Sequence, residues 1–157
     1  GAKDTLGKPL ASDYLQNPGF TTGDAPDTTA PTVSSTNPAN GASNVVVTVK
    51  PTVTFSEAMD PTTITISTVQ LLDSAGAVVT QLAGSPSLSA DHKVATITPA
   101  ASLKERATYK IRVIGGSAGA KDEAGNALAS TFTQTSGFTT ENLPPGSVQN
   151  NHRTDVQ

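Results

Sequence analysis

Apolar residues along this chain recur at every second position over short runs, and Gly, Pro, Asn and Asp separate the runs. A period of two marks strands that bury one face. Thr32–Thr36 follows Pro31 and ends at Asn37-Pro38, with Asn40-Gly41 as a turn. Val45–Val49 alternates loosely, whereas Pro51–Phe55 sets Val53 and Phe55 on one face. Ile64–Leu72 predicts a longer strand with Ile64, Ile66 and Val69 inward. The turn Asp73–Gly76 leads into Ala77–Leu82, Val94–Thr98 pairs Ala95 with Ile97, and Thr108–Ile114 lines up Tyr109, Ile111 and Val113. Asp122–Asn126 reads as a turn, and Thr131–Thr140 closes the pattern with Phe132 and Phe138. One helical turn is expected around Pro99–Lys104. The pattern predicts an all-β chain of about seven or eight strands.

A repeat organises these elements. Residues 1–22, GAKDTLGKPLASDYLQNPGFTT, match residues 119–140, GAKDEAGNALASTFTQTSGFTT, at thirteen of 22 positions without a gap. The offset of 118 residues is one sandwich domain plus a linker. Residues 1–22 therefore read as the C-terminal loop and strand of a preceding repeat. Residues 23–30 then form a linker, residues 31–142 one complete domain, and residues 143–157 a polar tail or linker. Leu10, Tyr14 and Phe20 correspond to Leu128, Phe132 and Phe138. The orphan strand is expected to dock on a sandwich, by edge addition rather than by replacing residues 128–140 of another chain. Self-association through residues 1–22 is the expected consequence when that edge belongs to a second chain.

Composition narrows the class. Aromatics make up 4% of the chain, with no Trp and no Cys, so small β-branched side chains must fill much of the core. The net charge of −3 and dispersed Lys and Arg argue against nucleic acid, and no apolar run is long enough for a membrane-spanning helix. Without Cys there is no disulfide, thiol catalysis or Cys-bound zinc.

Five phrases together carry a family resemblance: DTTAPTVSSTNPANGASNV, VTFSEAMDPTTIT, LKERATYKIRVIG, KDEAGNALAS and GFTT. In this order they resemble the bacterial Ig-like (Big) domains of the S-layer and surface-array type, over about residues 28–141. The resemblance implies an Ig-like Greek-key β-sandwich, tandem arrangement, export to the bacterial cell surface, and no common ligand or catalytic residue. Each phrase also has a local physical reading. Pro31 suits the start of an edge strand, and Asp60-Pro61 turns the chain out of a strand. Met59 reads as core, Tyr109 as a tyrosine corner, and Gly125 as a residue with positive φ.

Candidate chemistry is sparse. His92 lies in a hairpin turn and His152 in the tail, and neither sequence context supplies a nucleophilic triad. Calcium is the one candidate metal, and no cofactor is required. In an Ig sandwich the linker into the first strand and the second-to-third and sixth-to-seventh loops meet at one end. Here they carry Asp24 and six candidate ligands, Asp27, Glu57, Asp60, Asp122, Glu123 and Asn126. Calcium takes six to eight oxygen ligands from such loops; the alternative is that these are turn residues and solvated acids. The leading functional expectation is a non-catalytic spacer module of an exported surface protein or adhesin, its partners the neighbouring repeats. The second is a protein- or carbohydrate-binding accessory module, with sugar binding disfavoured because Trp is absent.

Overall fold

A computed structural model describes residues 1–9, 12, 23 and 25–143. The expected behaviour of residues 10–22 (Ser12 apart), of Asp24 and of residues 144–157 with His152 lies outside them. Among the described residues eight strands follow in order: β1 (Val33–Asn37), β2 (Thr52–Phe55), β3 (Val69–Leu72), β4 (Ser87–Leu88), β5 (Val94–Thr96), β6 (Thr108–Val113), β7 (Phe132–Thr133) and β8 (Phe138–Thr139). One sheet has the order β1-β2-β5-β4; the other has β3-β6-β7, with β8 also on β6. All these pairs are antiparallel, and no helix occurs among the described residues. The all-β chain expected from the alternation, and the Ig-like sandwich that the resemblance implies, are the observed fold.

The core is the alternating set. Val53 and Phe55 from β2, Ala95 from β5, and Tyr109, Ile111 and Val113 from β6 are buried between the sheets with Val69, Leu71, Ile97 and Phe138. Full burial of such a side chain contributes about 1.5–3 kcal/mol. Met59 is fully buried. Tyr109 forms the expected corner: its ring stacks on Phe138 at 5.9 Å, and its hydroxyl accepts from the Lys104 N–H at 2.9 Å.

Four segments depart from the alternation, each because a side chain or a neighbouring segment takes the backbone groups a ladder would use. Only Val69–Leu72 of the expected Ile64–Leu72 strand is extended. The Thr68 hydroxyl accepts from Thr65 N–H and donates to Thr63 C=O, closing a turn that leaves Ile66 57% exposed while Ile64 stays buried. Val45–Val49 forms no strand. Val45 makes a single bridge to Thr140, and the Glu141 carboxylate accepts from Val47 N–H at 3.1 Å. Ala77–Leu82 is likewise reduced to bridges at Val78 and Gln81. No helical turn forms over Pro99–Lys104, because the N–H groups of Ala100, Leu103 and Lys104 donate to Thr80, Val47 and Tyr109.

The last predicted strand divides into β7 and β8. Buried Gln134 stands between them, its N–H donating to Ile111 C=O at 3.0 Å while its side-chain oxygen accepts from Ile111 N–H at 3.0 Å. A side chain thus replaces one ladder carbonyl. Gly137 follows with φ 73°, and a Cβ there would stand 2.1 Å from the Tyr109 carbonyl, so only Gly fits.

Two poles result. Val33 pairs with Phe55, and the segment before β1 meets the 56–60 and 120–126 loops; this is the entry pole. Asn37 pairs with Thr52, while Thr139 and Glu141 are tied to Val45 and Ala42 at the opposite, exit pole. The N-terminal residues form a turn with a matching geometry elsewhere. Lys3 bridges Pro9, Asp4 N–H donates to Lys8 C=O at 3.0 Å, and Gly7 N–H donates to Asp4 C=O at 3.0 Å. Lys121 bridges Ala127, with Asp122 N–H to Asn126 C=O at 3.0 Å and Gly125 N–H to Asp122 C=O at 3.2 Å.

Candidate metal centre at the entry pole

The turn Asp122–Asn126 is built by its own side chains. Asp122 accepts from Asn126 N–H at 2.8 Å and from the Asn126 amide nitrogen at 2.9 Å, and Gly125 takes the expected positive φ of 92°. The turn docks on the 56–60 loop: Met59 bridges Asp122, Asp60 N–H donates to Lys121 C=O, and Glu123 N–H donates to Ala58 C=O. This docking buries Asp122 to 2% exposure. Thr32 N–H donates to Ser56 Oγ at 2.9 Å, which holds the incoming chain beside Glu57. Asp27 accepts from Thr29 N–H at 2.9 Å, and its carbonyl accepts from the Asn126 amide nitrogen at 3.1 Å.

Three carboxylates therefore converge. One oxygen each of Asp27, Glu57 and Asp122 lies within 4.8 Å of the others, in a shallow cleft bordered by Ala58, Glu123 and Ala124. Burial raises the Glu57 carboxyl above its ordinary value, and the negative charges of Asp122 and Asp27 raise it further. The Thr29 N–H, by contrast, holds Asp27 below the usual carboxylate value.

The other three expected ligands are engaged elsewhere. Asp60 turns its carboxylate onto Thr62, accepting from the N–H at 2.9 Å and the hydroxyl at 2.8 Å, and these bonds lower its pKa. Glu123 pairs with His92 Nδ1 at 2.6 Å. Asn126 presents its amide nitrogen to Asp122 and to Asp27, so it acts as a donor that positions the carboxylates. The roles of Ser56 and His92 were not found from sequence. Both depend on side chains that meet only after the loops are folded together, 24 and 31 residues apart in the chain. Chemically, three carboxylate oxygens are half or less of a calcium shell; carbonyls and water would complete it.

Residues 27–140 match the bacterial Ig-like domain family. No curated protein sequence matches the chain. Among solved structures, the crystal structure of the S-layer protein rSbsC(31-844) is similar, with a TM-score of 0.51 and 23% identity. That likeness covers 76% of this chain and 15% of the S-layer chain. The crystal structure of the N-terminal part of the S-layer protein SbsC gives a TM-score of 0.51 at 23% identity, over 72% of this chain and 24% of that one. This chain thus spans a small fraction of the proteins whose fold it shares. The two-sheet architecture, the alternating core and the match over most of the sequence agree: the chain belongs to the bacterial Ig-like domain family.

Proposed function

We propose that this domain is a non-catalytic spacer, one unit of a tandem array on an exported bacterial surface protein. The observation that carries the reading is the placement of the chain ends. The polypeptide enters at one pole and leaves at the other, as a module that extends a stalk must. Two further observations support it. The N-terminal turn repeats the Lys121–Ala127 turn in its bridge and its backbone hydrogen bonds, as expected if residues 1–22 end a preceding repeat and residues 23–30 link it to residues 31–142. The similar solved structures are S-layer proteins. The test is replacement in the parent protein. An unrelated Ig-like sandwich of the same length should restore function that deletion of residues 31–142 removes. A replacement as defective as the deletion would instead make this a specific binding module.

In the same reading the Asp27, Glu57 and Asp122 carboxylates take calcium and fasten the linker to the sandwich. The support is their convergence within 4.8 Å where the linker joins the domain. Calcium should then raise the melting temperature relative to chelator, and Glu57→Gln should remove most of that increment. Identical melting curves with and without calcium would withdraw the metal and leave the spacer role standing.

A further inference from the structure

Asn40-Gly41 is the only Asn-Gly pair in the chain. Asparagine before glycine is chemically the least durable of asparagine contexts, because no Cβ shields the nitrogen that follows. Once that nitrogen loses its proton to hydroxide, it attacks the asparagine Cγ. A nitrogen–carbon bond forms, the side-chain amide leaves as ammonia, and a five-membered succinimide remains. Water then opens the ring at one carbonyl or the other, giving aspartate or isoaspartate. Asn40 and Gly41 are both exposed, so water and hydroxide reach them. Burial does not guard the pair; only conformation can.

The exit pole supplies that conformation. Ala42 N–H donates to Ala39 C=O at 3.1 Å, and of the two central residues only Gly41 has a positive φ, 85°. This is a type II turn, whose first central residue has a ψ of about +120°. Ring closure needs about −120°, the sign of the mirror-image type II′ turn, because the Gly41 nitrogen must swing round to eclipse the Asn40 Cβ. The reacting groups are also tied. Gly41 N–H donates to Gly137 C=O at 2.5 Å, and Asn40 Oδ1 accepts from Ser136 N–H at 2.9 Å and Gly137 N–H at 3.0 Å. Thr139 N–H to Ala42 C=O at 2.8 Å and Val45 N–H to Thr139 C=O at 3.1 Å continue the seam. The two N–H groups on Oδ1 polarise Cγ toward attack, as donors on a carbonyl oxygen do. The turn withholds the nucleophile. Rotating the Asn40–Gly41 peptide into the reactive arrangement breaks the Gly41–Gly137 bond.

We infer that Asn40 is a conditional modification site: it is inert while the exit pole is closed, and it converts to aspartate or isoaspartate with loss of ammonia when the pole opens. Isoaspartate routes the backbone through the side chain and adds a methylene to the turn, so the seam to Gly137 cannot re-form and the opening becomes permanent. The inference is independent of the spacer and calcium readings. Ageing the full chain in mildly alkaline buffer, with and without enough urea to unfold it, tests it. Conversion at Asn40 is read by mass spectrometry and should be at least about tenfold slower in the folded chain. The slowing should match the amide-exchange protection of Gly41 within about threefold, because one opening frees both the nucleophile and its proton. The isoaspartate form, made in urea, separated and refolded, should exchange Thr139 N–H about tenfold faster than the parent. Equal conversion in the two solvents overturns the inference, and so does conversion that outruns the opening measured at Gly41. An isoaspartate form with parental exchange at Thr139 overturns the permanent opening.

Discussion

Two turns in this protein share a sequence pattern and a geometry but not an environment. Lys3–Pro9 and Lys121–Ala127 close with the same bridge and the same pair of backbone bonds, and each is braced by its own aspartate, Asp4 to Lys8 N–H at 2.9 Å and Asp122 to Asn126 N–H at 2.8 Å. The first is solvent-exposed, with Leu6 at 91%. The second packs on Met59 and buries its aspartate. Local chemistry, an Asx side chain bonding backbone two to four residues on and a glycine with positive φ, is sufficient to build the turn. Docking on the 56–60 loop is what brings Asp122 of one of them into a candidate metal site.

The comparison is broken most severely at the surface that receives the docked turn. Met59→Ala removes a fully buried side chain and should cost about 2–5 kcal/mol, whereas Leu6→Ala in the exposed turn should change nothing measurable in a urea titration. Next, Asp122→Ala strips the brace from a buried turn and should cost about 1–3 kcal/mol, with Asp4→Ala within about 0.5 kcal/mol of the parent. A smaller effect is expected at the glycines. Gly125→Ala places a Cβ at φ 92° and should cost about 1 kcal/mol or slightly more; Gly7→Ala, at φ 79° in the undocked copy, should leave global unfolding unchanged.

The smallest effect is electrostatic, and its sign follows from Glu57. Its folded-state carboxyl binds a proton more tightly than in the unfolded chain, because burial and the Asp122 and Asp27 charges oppose ionisation. The ionised group therefore weakens the fold at neutral pH. That penalty is relieved as pH falls through the raised value. In chelator, Glu57→Gln should raise the melting temperature slightly at pH 7, with the gain fading once Glu57 itself is protonated. No gain at pH 7 would show that the three carboxylates do not repel as their convergence implies. Asp27 and Asp60 act oppositely. Hydrogen bonds lower both, so their contributions are present above the unfolded value and lost on acidification.

Where a residue's role depended only on its neighbours in sequence, it was legible beforehand. The inward sets of β2, β5 and β6, the buried Met59, the Tyr109 corner and the positive φ of Gly125 all follow from a period of two or from local turn chemistry. The failures share one cause. At Thr65–Thr68, Val45–Val49, Pro99–Lys104 and Gln134, the backbone partner is a side chain or a segment from elsewhere in the fold, and alternation carries no trace of it. The acidic pole divides along the same line. Sequence placed six candidate ligands at one end of a sandwich. Tertiary structure brought Asp27, Glu57 and Asp122 together, gave Asp60 to Thr62, Glu123 to His92, and made Asn126 a donor. Each carboxylate takes the hydrogen-bond or charge partner within its reach, and that choice is decided only when loops distant in the chain are packed against one another.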